Sequence, residues 1–189
     1  MPLAVSSLLE EDLAQVTLIE RACYSDNLVL RDGVVPIAKT FQAAAARNQL
    51  KRFPSLSFKT NLHSQLIGYL VAFQEPFPFA TVSEEYQNRI YIADFAVTHR
   101  PSVLASRAAA MLISAFIRCY SENYVCRANP LPVIADARCS TSGKLIERKL
   151  AYFARRAGLR ARLINHKKFM MGHDEMSRII ILPIDNDLP

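Results

Sequence analysis

Asp94 is an acid set inside an apolar, β-branched run, "RIYIADFAVTH". Three residues later, at Val97, the pattern turns towards a helix: "VTHRPSVLASRAAAML". A strand that feeds a helix brings unpaired backbone N–H groups and the positive end of the helix dipole to one spot, which suits a phosphate. Arg100, Ser106 and Arg107 stand where they could add charge-assisted contacts. The stretch has no glycine, and the whole chain has five, so a glycine-rich phosphate loop is excluded. Apolar surroundings disfavour the charged form of a carboxyl group such as Asp94, as in the tuning of a general base. The plain alternative is a structural acid that faces solvent or pairs with a nearby base.

Other reactive types are scattered. Cys23 would need a lowered thiol pKa to act as a nucleophile, with His99 as a partner; a buried or idle thiol is the default. His173, Asp174 and Glu175 form a polar turn that could border a substrate. The four cysteines and four histidines show no zinc-binding spacing, so free thiols in a reducing compartment are expected and no metal. The N-terminal "MPLAVSSLLEEDL" lacks a basic n-region and turns acidic at once. The longest apolar run, "AAAMLISAFI", is short for a membrane span. A cytoplasmic protein with no membrane partner is the expectation.

Charge is unevenly placed. The net charge is +6, yet Lys144 to Lys168 alone carries +8, with Glu147 its one acid. Such a segment suits an anionic partner, whether a phosphorylated cofactor, a nucleic acid or an acidic protein; a solvated helix face that happens to be basic is the alternative.

The elements that must position these residues follow from periodicity. At 189 residues the chain is expected to form one domain with a sizeable core. A short strand, "PLAVS", precedes a helix over about 8–24, opened by a capping box of Ser7 and Glu10. "PIAKTFQAAAARNQL" predicts a second helix with Pro36 in its first turn. "SLSFKTNL" and "LIGYLVAFQE", joined by "HSQ", predict an antiparallel hairpin. "PFPFATVSEEYQN" is a loop, and "RIYIADFAVTH" is expected to be a strand buried on both faces. A helix runs from Pro101 to about Tyr120, with Leu104, Ala108, Met111, Leu112, Ala115 and Phe116 inward. The strand "LPVIADARCS" leads to the helix "SGKLIERKLAYFARRAGL", with Leu145, Ile146, Leu150, Phe153 and Ala157 inward and a stop at Gly158. "RARLINHKKFMM" and "MSRIIILPI" close the chain as two strands. The order β-α-α-β-β-β-α-β-α-β-β predicts an α/β fold, a mixed and mostly antiparallel sheet flanked by about four helices.

In this order and spacing the chain resembles the GCN5-related N-acetyltransferase (GNAT) family from about Leu3 to Pro183. "LLEEDLAQVTLIERACYSD" resembles the family's opening helix, "LIGYLVAF" its third strand and "IADFAV" its fourth. "KLAYFARRAGLR" resembles its last helix. The resemblance implies an acyltransferase that moves an acyl group, normally acetyl, from acyl-coenzyme A to an amine. It implies cofactor contacts from Phe95, Ala96 and Val97 and from the loop and helix start that follow, Arg100, Val103, Leu104, Ala105, Ser106 and Arg107. The family's loop reads Arg or Gln, two residues, Gly, one residue, Gly or Ala. One register sets Arg100, Val103 and Ala105 there and keeps the helix face; another sets Ser102, Ala105 and Arg107 and spoils it. The first is preferred, and neither restores a glycine.

By the same resemblance Asp94 is the candidate base and Tyr152 the candidate acid for the leaving thiolate. The family's tyrosine position itself falls on Ala154. The acceptor would be an amine of a small molecule, a protein or an aminoacyl-tRNA, and a homodimer stays open. The alternative is an inactive module of the same fold that binds a protein or nucleic acid through its basic C-terminal region. Acyl-homoserine lactone synthesis is set aside, because the chain has no Trp.

Overall fold

The computed structural model describes residues 2–24, 56–74, 89–98, 102–125, 130–138, 141–166 and 176–183. The strands are β1 (Leu3–Ser7), β2 (Phe58–Leu62), β3 (Gln65–Gln74), β4 (Ile90–Val97), β5 (Val133–Arg138), β6 (Leu159–His166) and β7 (Met176–Pro183). The helices are α1 (Leu13–Tyr24), α2 (Ser102–Tyr120) and α3 (Thr141–Arg156). Pairing orders the strands β1-β2-β3-β4-β5-β7-β6. The β1–β2, β2–β3, β5–β7 and β6–β7 ladders are antiparallel and β4–β5 is parallel, the mixed and mostly antiparallel sheet expected. Three α-helices occur among the described residues; the expected helix at Pro36, the loop 76–88 and the turn 172–175 lie outside them.

The backbone groups into two compact units: Met1–Phe73 with Ala93–Phe116, and Gln74–Ile92 with Ile117–Pro189. In the first unit the helix start differs from expectation. Ser7 is spent in β1, paired with Phe58, so it cannot cap. The helical turn begins at Glu10, and Asp12 Oδ2 accepts from the Leu9 N–H at 2.8 Å. Lys59 on β2 ties the same carboxylate with an ion pair of 2.6 Å. The cap therefore comes from Asp12, the third residue of the helical turn, rather than from the residue before it.

Burial also corrects a strand. The strand covered on both faces is β3, with Leu66 to Phe73 all buried, whereas β4 buries Ile90, Ile92 and Ala96 and leaves Tyr91, Ala93, Asp94 and Phe95 half-buried. Both runs are apolar, so the sequence alone does not separate them. Ser57 is a buried polar residue beside β3 whose Oγ donates to Ala72 O and accepts from Ala72 N, both at 3.2 Å. That bridge removes the desolvation cost of its hydroxyl.

The run Val103–Val125, α2 with the π turn Ser121–Val125, is long and apolar enough to cross a bilayer by length and composition. It extends past the ten-residue stretch marked in the sequence by including Arg107, Arg118 and Glu122. Its fully buried positions, Ala108, Leu112, Ile113, Phe116, Tyr120 and Tyr124, recur at helical spacing along one side. Burial of a Leu or Phe of this kind stabilises by about 1.5–3 kcal/mol.

In the second unit β7 is central. It pairs with β5 from Val133↔Ile181 to Arg138↔Met176 and with β6 from Leu159↔Pro183 to His166↔Met176. Ile179, Ile180 and Ile181 are all buried, which explains three isoleucines in a row. Helix α3 stops as expected: Gly158 adopts φ +72° and its N–H donates to Arg155 O. Its inward face is rotated from the expected one. Glu147, Leu150, Ala151 and Ala154 are buried, while Leu145 is 51% exposed and Ala157 is exposed.

Candidate functional site

The C-terminal half of β4 is held against β3 at close range. A Cβ on Gly68 would meet Val97 Cγ2 at 2.9 Å and Ala96 O at 3.1 Å, so a residue without a side chain is needed there. The contact is closed by Thr98 N–H donating to Ile67 O at 2.8 Å. This fixes the point from which the chain leaves β4 for α2.

Asp94 sits on this half of β4 and is oriented at both oxygens. Tyr69 OH donates to Oδ2 at 2.7 Å, and the Phe95 N–H donates to Oδ1 at 2.7 Å. Tyr69 is fully buried on β3, so its hydroxyl is a fixed donor rather than a wandering one. Sequence reasoning passed over Tyr69. The signal was present: a tyrosine in a buried strand needs a partner for its hydroxyl. The Phe95 N–H is engaged by Asp94, so it is not a spare donor for a substrate carbonyl. Strand alternation puts Asp94 and Ala96 on one face and Phe95 and Val97 on the other. The four do not share a face.

The connection from Val97 to Ser102 is four residues long. His99, Arg100 and Pro101 lie outside the described residues. Helix α2 begins at Ser102, which puts Val103 and Ala105 of the preferred register inside its first turn rather than in a loop. Val103 is 80% exposed, Ser106 and Arg107 are exposed, and Leu104 and Ala105 are half-buried. Val103, Ser106 and Arg107 thus share one accessible side of the helix start, at i, i+3 and i+4 spacing. No acid occupies the first turn, so no carboxylate of that turn offsets the positive end of the helix dipole.

The second unit holds the other candidates. Tyr152 is 53% exposed; its oxygen accepts from Arg156 Nη1 at 2.9 Å and its ring meets Phe153 edge-on. Ala154, two residues on and about 160° around the helix, is fully buried. The structure does not bring Tyr152 to the side of Ala154. Glu147 is only 8% exposed, and its Oε1 has no hydrogen-bond partner. Burial pushes the Glu147 carboxyl above its ordinary range, with Lys144 pulling the other way. Cys119 is a half-buried thiol that accepts from Asn123 Nδ2 at 3.7 Å, and burial pushes it up, opposite to what a nucleophile needs. Burial also raises Tyr120, whose hydroxyl donates to Leu131 O at 2.6 Å. Side-chain placement of Cys23 and the turn His173–Glu175 lie outside the described residues.

Neither a family model nor a curated protein sequence matches the chain. Solved structures do. Diaminobutyrate acetyltransferase EctA from Paenibacillus lautus, in complex with L-2,4-diaminobutyric acid and coenzyme A, matches with a TM-score of 0.57 at 14% identity, over 100% of this chain and 99% of its own. Arabidopsis thaliana Naa50, bound to the bisubstrate analogue CoA-Ac-MVNAL, matches with 0.55 at 11% identity, over 95% and 98%. A GNAT-family acetyltransferase from Bacillus cereus matches with 0.58 at 9% identity, over 98% and 100%. The chain therefore has the fold of the GCN5-related N-acetyltransferases.

Proposed function

We propose that this protein is an acyl-coenzyme A-dependent N-acyltransferase, with acetyl the expected acyl group. The observation that carries the reading is Asp94, a carboxylate held by Tyr69 and the Phe95 N–H, in a fold shared with acetyltransferases solved with coenzyme A. The residues fit an anionic cosubstrate. The first turn of α2 has no acid and supplies backbone N–H groups, and Ser106 and Arg107 are exposed in the turn that follows. Backbone donors require no particular side chain, so the absence of glycine does not remove them. Phe95, Ala96, Val97, Arg100, Val103, Leu104 and Ala105 complete the cofactor set of this reading.

Asp94 accepts the proton of the attacking ammonium group, directly or through water, which frees the nitrogen lone pair. The nitrogen–carbon bond forms, the carbon–sulfur bond of the thioester breaks, the nitrogen gives up its second proton to solvent, and the thiolate takes a proton from solvent. No tyrosine acid is assigned: Ala154 stands at that position and Tyr152 faces outward. The positive charge of Lys144–Lys168 favours an acceptor amine carried on an anionic molecule.

The test is release of free thiol from acetyl-coenzyme A in the presence of an amine panel. Turnover that falls about 100-fold or more in Asp94→Asn, at unchanged fold, supports the assignment. Equal turnover in Asp94→Asn removes Asp94 as base. An amine-independent rate would remove the transfer reading.

A further inference from the structure

We propose that the exposed face of α3 docks single-stranded nucleic acid. Lys144, Arg148, Tyr152, Arg155 and Arg156 are all exposed. At 100° per residue they fall within an arc of about 120°, on a row about 18 Å long. The one acid of the helix, Glu147, is on the buried side, so the outward face carries a single sign. Among the described residues the ion pair formed is Lys59–Asp12, far along the chain, and no acid is paired with Arg148, Arg155 or Arg156.

Ordinary helix chemistry accounts for only part of this. Arg155 and Arg156 lie in the last turn, where the dipole favours cations. Lys144 lies near the first turn, where the dipole does not favour it and only Glu147, three residues on, attracts it, and Lys144 with Arg148 is a like-charged i, i+4 pair, which is unfavourable in isolation. A row of cations kept against these costs fits a polyanion. Tyr152 decides which polyanion. An aromatic ring more than half exposed in the middle of a basic row can stack a base when Arg156, whose Cζ lies over the ring 5.7 Å from its centroid, turns to a phosphate. Phosphates follow the cations and a base covers the ring. The inference is independent of acyl transfer, because it concerns the outward face of α3 and not Asp94.

The experiment is fluorescence anisotropy of a labelled, mixed-sequence single-stranded oligonucleotide titrated with the full chain over a salt series. Four phosphate contacts give a slope of about −3 in log K against log salt. Arg148→Ala and Arg155→Ala should each reduce the slope by about 0.7. Tyr152→Ala should weaken binding about tenfold with the slope unchanged. All three sites are exposed, so the variants are expected to keep the wild-type melting temperature. No binding at low salt overturns the proposal, as does binding that these variants leave unaltered. Displacement of the oligonucleotide by equimolar coenzyme A would assign the row to cofactor phosphates instead. Binding to anionic phosphatidylserine vesicles without binding to the oligonucleotide would assign it to a membrane. Loss of acetyl-coenzyme A binding alone would sink the acyltransferase reading and leave this one standing.

Discussion

Gly68→Ala is the sharpest probe of how β3 sets the geometry of β4. A Cβ at residue 68 would stand 2.9 Å from Val97 Cγ2, 3.1 Å from Ala96 O and 3.2 Å from Thr60 Cγ2. Two of these neighbours are β-branched side chains and one is backbone, so none swings aside freely. Overpacking of this kind costs about 1–3 kcal/mol. Loss of chain entropy in the unfolded state returns about 0.4–1 kcal/mol of that. The net expectation is destabilisation by about 1–2 kcal/mol, or a melting temperature about 3–6 °C lower for a chain of this length. Urea unfolding followed by circular dichroism measures it. Val97→Ala removes the nearest obstacle, so the double variant Gly68→Ala/Val97→Ala should be more stable than the sum of the single losses allows, by about 0.5 kcal/mol or more. A Gly68→Ala protein within about 0.5 kcal/mol of wild type, with additive behaviour in the double variant, would refute the close approach of β3 to β4.

Three further outcomes are expected. Tyr69→Phe removes the donor to Asp94 Oδ2; kcat should fall about tenfold while KM for acetyl-coenzyme A stays within about twofold, since a hydrogen bond to a charged group contributes about 1.5–3 kcal/mol. An equal rise in KM would count against a positioning role. Glu147→Gln should raise stability at pH 7 by about 1 kcal/mol, because burial lifts the folded carboxyl above its unfolded value of about 4.3. That cost of the wild type is absent below the unfolded pKa and grows as pH rises towards the folded one, so the gain should vanish near pH 4; a gain that does not change with pH argues against it. Tyr152→Phe should leave turnover within about twofold, and a hundredfold loss would restore it as the acid.

The order of elements was legible because periodicity, prolines and Gly158 mark it locally. Gly158 ends α3 through its own backbone angle, a property one residue can announce. Asp94 was legible as an acid in an apolar strand. Its partner Tyr69 was not, because the 25-residue separation closes only when β3 and β4 pair. The cap was misplaced on Ser7 because Ser7 satisfies the local pattern, yet pairing with Phe58 claims it for β1. The face of α3 was read by counting apolar residues, which put Leu145 and Ala157 inside and gave Glu147 no place in the core. The packed helix exposes both and buries Glu147, a carboxyl that hydrophobic patterning does not anticipate.

The measurement closest to the central claim is calorimetric titration of nucleotide-free protein with acetyl-coenzyme A and with coenzyme A. Saturable binding that weakens in Arg107→Ala is expected, with a melting temperature about 5–10 °C higher at a ligand concentration about a hundredfold above Kd. No heat, and no rise in melting temperature at millimolar ligand, would contradict it.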